Sequence, residues 1–214
     1  LSLLAQLVIT TGALSLLSLL ALHFVSPEYQ PAWRMISEYA LGKHKWLITS
    51  FFYLWGVSSL FLSLLLWNVV TTWWGQVGVA LLLLSAVGEI MGGLFDIKHK
   101  WHGLAFGLGV PSLPIAALLI GYDLIRTESW RTFSDTIMIS SYATWLSLIT
   151  MAVAMVVMFA GFKKAGIVMD QHTAPLENVP EGVIALGGYA NRILVLCYVG
   201  WLILIAKIYL SILP

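Results

Sequence analysis

Charged residues are scarce in this chain. Only 10% of its 214 residues are Asp, Glu, Lys or Arg, and 60% are hydrophobic, whereas an average soluble domain carries roughly 25% charged residues. So few charges cannot cover the surface of a soluble domain. The sequence also lacks a long basic run, and its formal net charge is +1. Because phosphate binding requires clustered lysine and arginine, we expect no nucleic-acid partner.

Cysteine is nearly absent as well, since Cys197 is the only one. A single cysteine excludes an intrachain disulfide and a cysteine-based zinc site. Cys197 lies inside an apolar stretch, where the simplest interpretation is a small core residue.

Long apolar stretches fill the rest of the sequence. A membrane span needs about 20 predominantly apolar residues, so the pattern predicts an all-α integral membrane protein, a six-transmembrane-helix bundle forming one domain over 1–214. The predicted helices cover residues 1–25, 46–70, 76–95, 102–125, 136–162 and 189–211. The first stretch is too long for a signal-peptide core, and we interpret it as a true span. Because the sequence begins at Leu1 rather than methionine, we expect a start segment ahead of it.

Glycine and proline mark how the third and fourth predicted helices meet. Each helix contains two glycines four residues apart, and such spacing lets helices approach closely in lipid: Gly88 and Gly92, then Gly103 and Gly107. Pro111 and Pro114 should kink the fourth helix and free carbonyls near Gly107 and Val110. The kink could open a cavity, but we favour a neighbouring helix that fills the bend.

The basic residues are distributed unevenly between the two membrane faces. Six helices place both chain ends on one side; the opposite side, formed by connections 26–45, 96–101 and 163–188, is named the loop face. It receives eight of the eleven basic residues: Arg34, Lys43, Lys45, Lys98, Lys100, Lys163, Lys164 and Arg192. The positive-inside rule predicts that the loop face is cytoplasmic, with the protein in the inner (plasma) membrane.

All five histidines also fall at or near the loop face: His23, His44, His99, His102 and His172. Longer loops on that side would explain this clustering without any function, because polar residues concentrate in loops. None of the five lies deep in a predicted span, so we expect no haem held between two histidines.

The most deeply placed acid is Glu89, roughly 9 Å from the end of the third predicted helix at 1.5 Å per residue. Such an acid is expected to face the bundle interior, where it pairs or stays protonated. Asp96 follows two helical turns later on about the same stripe. Arg192 lies one turn inside the sixth predicted helix, beside Asn191. We therefore expect Arg192 to pair with Glu89 or Asp96, either as a purely architectural contact, which we favour, or within a functional polar pocket.

A metal site is the most specific chemical hypothesis that the sequence offers. Asp96, His99 and His102 form D-x-x-H-x-x-H and would project to one side of a helical turn. A carboxylate with two imidazoles suits zinc or another first-row metal. His44 or Glu38 could complete the ligand set.

Simpler interpretations stand beside this chemistry. Lys98 and Lys100 interleave the motif, and a basic segment at a membrane boundary is more often an anchor for lipid headgroups. Ser37 could act as a nucleophile or as a transition-state hydrogen-bond donor, with Glu38 assisting. We favour instead a structural role in which Ser37 caps a short interfacial helix that has Glu38 in its first turn.

Two segments resemble the signature regions of a bacterial and archaeal integral membrane family called domain of unknown function nine-nine-eight. They are ISEYALGKHKW at 36–46 and GEIMGGLFDIKHKWHGLAFGLG at 88–109. The positions that match the family pattern are Ser37, Glu38, Tyr39, Gly42, Asp96 and His102. The resemblance implies a membrane protein of several helices and supplies no established activity.

A serine, an aspartate and a histidine near one membrane face are also similar to the alkaline-ceramidase and adiponectin-receptor superfamily of membrane zinc hydrolases. That superfamily has seven helices and a late HxxxH pair that ligates the metal. This chain has six predicted spans, and the sixth contains no histidine. The pattern is therefore incomplete here.

Three functional hypotheses follow. The first, which we favour from the sequence, is a non-catalytic accessory or scaffold subunit whose apolar faces contact membrane lipids and the helices of other membrane subunits. The second is a membrane-embedded, metal-dependent lipid hydrolase at the loop face. The third is a transporter of a small solute or protons along Glu89 and Asp96, against which the lack of an inverted repeat counts.

Overall fold

The computed structural model describes residues 1–167, 176 and 178–213. Over these ranges the secondary structure is helical, and six helices are long and apolar enough to cross a membrane. The helices are α1 (Ser2–Val25), α2 (Lys45–Leu66), α3 (Trp73–Leu94), α4 (His102–Leu124), the short α5 (Glu128–Arg131), α6 (Ser134–Lys164) and α7 (Gly187–Ser211). A 3-10 helix, Ile36–Leu41, lies in the connection between α1 and α2. The predicted six-helix membrane fold is thus confirmed.

The boundaries of α2 and α3 differ from the predicted ones. The second predicted helix ends at Leu66 rather than at residue 70. The third begins at Trp73, because the hydroxyl of Thr72 accepts a hydrogen bond from the backbone N–H of Gly75 at 3.1 Å. A threonine in that position satisfies one of the free donors of the first turn and fixes the start of the helix.

Helix α7 forms the centre of the bundle. Its most apolar stretch is 56% buried, whereas that of α6 is 22% buried. Tyr198 and Trp201 of α7 are almost fully enclosed, and α7 packs against α1 and α6. Helix α6 therefore contributes a wide apolar surface to the lipid.

The two glycine pairs behave differently from the prediction. In α3, a Cβ on Gly88 would lie 2.2 Å from the backbone nitrogen of Gly109 in α4, so the two backbones are in direct contact there. In α4, a Cβ on Gly103 or Gly107 would meet no atom of the described residues within 4 Å. The expectation that Gly103 and Gly107 face the third helix is wrong, because the contact runs through Gly109 instead.

The prolines of α4 fit the interpretation of a bend filled by a neighbour. Pro111 and Pro114 both lie inside the helix, and Pro114 has no N–H to offer the carbonyl of Val110. The hydroxyl of Tyr198 in α7 donates to that carbonyl at 2.8 Å. A neighbouring helix thus supplies the partner that the proline removes.

Candidate functional site

A cavity opens at the loop face between α2, α3, α4 and α7, and the 3-10 helix borders it. The water-accessible volume of the cavity is about 90 Å³. Its polar side chains are those of Ser37, Glu89, His102 and Asn191, and most of the remaining wall is apolar. We name this space the loop-face cavity.

Glu89 is 3% exposed and is held by two serines. Its Oε2 accepts a hydrogen bond from the hydroxyl of Ser59 in α2 at 2.6 Å. Its Oε1 lies 2.8 Å from the hydroxyl of Ser85, one turn earlier in α3. No basic side chain of the described residues forms an ion pair with Glu89. The expectation that Glu89 faces the bundle interior is met, but its partners are hydroxyl groups.

The hydroxyl of Ser85 has two neighbours that can accept its hydrogen. It lies 2.8 Å from Glu89 Oε1 and also 2.8 Å from the carbonyl oxygen of Gly109. A hydroxyl carries one hydrogen but two lone pairs. If Glu89 is protonated on Oε1, it donates to Ser85 while Ser85 donates to Gly109. If Glu89 is ionised, Ser85 turns its hydrogen toward the carboxylate.

Aromatic rings form one wall of the cavity. Phe51, Phe52 and Trp55 follow one another along α2, with ring centroids 4.9 Å apart for Phe51 and Phe52 and 5.5 Å apart for Phe51 and Trp55. Phe106 of α4 also lines the space. The indole N–H of Trp55 is buried and has no hydrogen-bond partner among the described residues, which leaves a donor for a water or a solute.

The predicted pairing of Arg192 with Glu89 or Asp96 is wrong. Arg192 donates through Nε to His23 Nε2 at 2.7 Å and through Nη1 to the carbonyl oxygens of Arg34 and Gly188, at 2.8 and 2.9 Å. Backbone carbonyls and an imidazole therefore satisfy the hydrogen-bond donors of this guanidinium. Sequence patterns cannot reveal such partners. The contacts join α1, α7 and the connection just before the 3-10 helix.

Tyr39 completes the Arg192 cluster. Arg192 Nη2 lies 3.3 Å from the Tyr39 hydroxyl, which in turn donates to the carbonyl of Tyr29 at 3.2 Å. Burial raises the pKa of the Tyr39 phenol, although the hydrogen bond from Arg192 acts in the opposite direction. Tyr39 is therefore a neutral donor at physiological pH.

Asn191 has a positioning role at the cavity entrance. Its Oδ1 accepts a hydrogen bond from the backbone N–H of Ile36 at 3.0 Å, so it ties the 3-10 helix to α7. Ser37, the next residue, lines the cavity. The predicted cap is wrong: Met35 precedes the 3-10 helix, and Ser37 lies inside it. A nucleophilic role for Ser37 stays a prediction.

Glu38 is occupied at the surface of the same segment. Its Oε1 accepts from the backbone N–H of Met35, and its Oε2 pairs with Arg34, each at 2.7 Å. This explains why Glu38 belongs to the first turn of the short helix, as predicted. Both carboxylate oxygens are used there.

The four candidate metal ligands do not assemble. Asp96 pairs with Lys45 at 2.9 Å, and this hydrogen bond holds the pKa of Asp96 below its usual range. His99 stacks on Phe95, His102 Nδ1 bonds to the carbonyl of Phe95, and His44 Nδ1 bonds to Ser26. No three His, Cys, Asp or Glu side chains form a ligand group within the described residues. Zinc thus stays a prediction without an assembled site, and His172 lies outside the described residues.

Sequence reasoning missed Ser59, Ser85 and Trp55. Ser85 could have been found, because it lies four residues before Glu89 on the same helix and so shares its face. Ser59 and Trp55 come from another helix, and only the packing of α2 against α3 brings them to the cavity.

The fold and cavity define a six-span helical membrane protein with a buried acid open to a cavity at one face. The chain belongs to a family described as "Protein of unknown function (DUF998)", whose model matches residues 9–207. This confirms the family resemblance seen in the two sequence segments. No curated protein and no solved structure matches the chain.

Proposed function

We propose that this chain is a membrane transporter that binds a small solute in the loop-face cavity and exchanges it for a proton on Glu89. The observation that carries the proposal is a buried carboxyl group in a solvent-sized cavity with hydroxyl partners and no basic partner among the described residues. A carboxylate that is both buried and unpaired is costly in a membrane, so it needs a proton or a cationic solute.

The two hydrogen-bond patterns of Ser85 support reversible protonation. In one pattern Glu89 donates to Ser85, and in the other it accepts from Ser85, without movement of the heavy atoms. Helix α4 brings His102 to the same cavity. Tyr198 of α7 packs edge-on against Trp55, which lines the cavity. Helix α2 contributes the hydroxyl of Ser59. Glu89 is thus the acid around which these groups are arranged.

Infrared spectroscopy of the reconstituted protein tests the proton site without knowledge of the solute. We expect the carbonyl band of a protonated carboxylic acid to fade as pH is raised from mildly acidic to mildly alkaline values. Glu89→Gln should abolish this change, whereas Glu128→Gln, which removes an exposed acid, should leave it intact. A band change that survives in Glu89→Gln would overturn the proposal.

The same proposal includes an orientation. Lys43, Lys98 and Lys163 lie at the loop face, and the positive-inside rule places that face in the cytoplasm, with the protein in the plasma membrane. Cys197→Ser provides a background without cysteine. In that background, Lys100→Cys should react with an impermeant maleimide in inverted vesicles and stay unlabelled in intact cells.

A second candidate is the accessory or scaffold subunit expected from the sequence. Gly103 and Gly107 favour it, because no atom of the described residues covers them within 4 Å, and two glycines four apart suit close contact with a partner helix. In-membrane cross-linking from Leu104, which is exposed, should then capture one discrete partner, and Gly107→Ile should abolish the product. Diffuse labelling by lipid alone would refute this candidate.

A further inference from the structure

We infer that the solute of the loop-face cavity is an organic monocation, such as a substituted ammonium group. This inference rests on the proposed function and specifies its substrate class. It stands on the juxtaposition of one buried carboxyl group with an aromatic wall in a space that otherwise offers few polar groups.

The charge of the cavity favours a cation. Among the described residues, Glu89 is the only carboxyl side chain in the wall. The nearby guanidinium of Arg192 donates to His23 and to two backbone carbonyls, and it does not line the space. An anionic solute would meet an acid, and no lysine or arginine of the described residues lines the space to compensate it. A cation would instead supply the counter-charge that Glu89 lacks.

The aromatic wall favours an organic cation over a metal ion. Phe51, Phe52 and Trp55 on α2 have adjacent rings, and Phe106 on α4 also lines the cavity. The face of an aromatic ring attracts a cation, and tryptophan does so most strongly. A divalent metal would require several carboxylate, imidazole or carbonyl ligands, and no such group of three side chains exists among the described residues.

The size of the cavity sets the size of the bound group. An engineered apolar cavity of about 150 Å³ accommodates benzene, whereas the space here is about 90 Å³. This space therefore suits a compact charged head. Any longer substituent must extend through the outer end, past Ser37 and His102, both of which are partly exposed.

Binding of the cation and loss of the proton then take place at the same group, the Glu89 carboxylate. The incoming cation forms an ion pair with the Glu89 carboxylate, and the proton that the acid carried is released to water. No covalent bond forms in the solute. The Ser85 hydroxyl reverses its hydrogen from Gly109 to Glu89 as the proton leaves, which keeps the carboxylate hydrogen-bonded.

Titration calorimetry with benzylammonium, whose primary ammonium head is compact, tests the substrate class. Benzyl alcohol, its uncharged isostere, has nearly the same shape and reports the binding without the charge. In wild type at mildly acidic pH, we expect the cation to bind, the isostere to bind at least tenfold more weakly, and up to one proton to be released per cation. Titrations in two buffers of different ionisation enthalpy give the proton count.

Five variants locate the site. Glu89→Gln should abolish binding of the cation, and Glu128→Gln should preserve it. Trp55→Leu should weaken binding about fivefold to thirtyfold, with a smaller loss in Trp55→Phe because a ring remains. Glu89→Asp retains the charge and should retain measurable binding, which guards against a folding defect in Glu89→Gln.

Two results separate the failure of this inference from failure of the proposed function. If the infrared band of Glu89 titrates but wild type binds no cation, or binds the isostere equally well, the organic-cation assignment is overturned while the proton site stands. If neither the band nor cation binding depends on Glu89, both are overturned.

Discussion

The closest contact between α3 and α4 makes Gly88→Ala a sensitive test of the fold. A Cβ on Gly88 would lie 2.2 Å from Gly109 N, 2.6 Å from Gly109 Cα and 2.7 Å from the carbonyl oxygen of Ala105. All three atoms belong to backbone, so no side chain can rotate away. The added carbon must therefore push the two helices apart.

The size of the effect follows from that displacement. Ordinary contact begins at 3.4 Å, so the Cβ must move roughly 1.2 Å from Gly109 N, a distance that packed interiors resist. Overpacking of this kind costs typically about 1 to 3 kcal/mol of unfolding free energy. For a chain of this length, each kcal/mol lowers the melting temperature by about 2 to 4 °C. We expect Gly88→Ala to melt about 2 to 12 °C below wild type.

A thiol-reactive dye provides the assay, because Cys197 is the sole cysteine of the chain and is partly enclosed in α7. Gly103→Ala is the matched control: its Cβ would meet no atom of the described residues within 4 Å, and alanine is the better helix former by about 0.5 to 1 kcal/mol. It should melt at or slightly above the wild-type temperature. Equal melting of Gly88→Ala and wild type would refute the close contact of α3 with α4.

Three further predictions concern polar contacts outside the cavity. Asp123 is fully buried and accepts hydrogen bonds from the backbone N–H and the hydroxyl of Thr72. Asp123→Ala should therefore lower the free energy of unfolding by about 1 to 3 kcal/mol, as measured by thermal denaturation. Arg192→Lys keeps the charge but loses the planar guanidinium and with it at least one charged hydrogen bond, so the free energy of unfolding should fall by about 1.5 to 3 kcal/mol. A variant as stable as wild type would contradict the contacts of Arg192. Lys45 lowers the pKa of Asp96 in the folded protein. The ion pair therefore stabilises the fold fully above the unfolded-state pKa of Asp96, about 3.9, and its stabilisation is lost as pH falls through the lower folded-state pKa. The pair is largely exposed, so Asp96→Asn should cost under about 1 kcal/mol near neutral pH, and the melting temperatures of variant and wild type should converge in acid.

The sequence predicts the number and order of the spans because apolar runs in a membrane protein are long and unambiguous. It predicts their ends less well. Thr72 starts α3 earlier than expected, and the turn after Leu66 is itself apolar, so hydropathy alone does not mark where α2 stops. These ends depend on local hydrogen bonds rather than on composition.

The candidate site is only partly predictable. The inward orientation of Glu89 follows from the cost of exposing an acid to lipid. Its partners do not follow, since the hydroxyl of Ser59 comes from another helix. The partners of Arg192 are harder still to predict from the sequence, because every residue has a backbone carbonyl that can accept a hydrogen bond. The D-x-x-H-x-x-H spacing predicted a metal site that does not assemble, because Asp96 pairs with Lys45 at the start of α2.

The separation of Arg192 from Glu89 is what gives the cavity its chemistry. Had the two paired, each would have neutralised the other, and the acid would have been a fixed structural element. Instead, Arg192 is held by His23 and by the carbonyl oxygens of Arg34 and Gly188. These contacts join the ends of α1 and α7 to the connection just before the 3-10 helix. Hydroxyl groups, which can donate or accept, surround Glu89. One buried ionisable group is therefore committed to the scaffold, while the other remains available for the proton exchange that we propose.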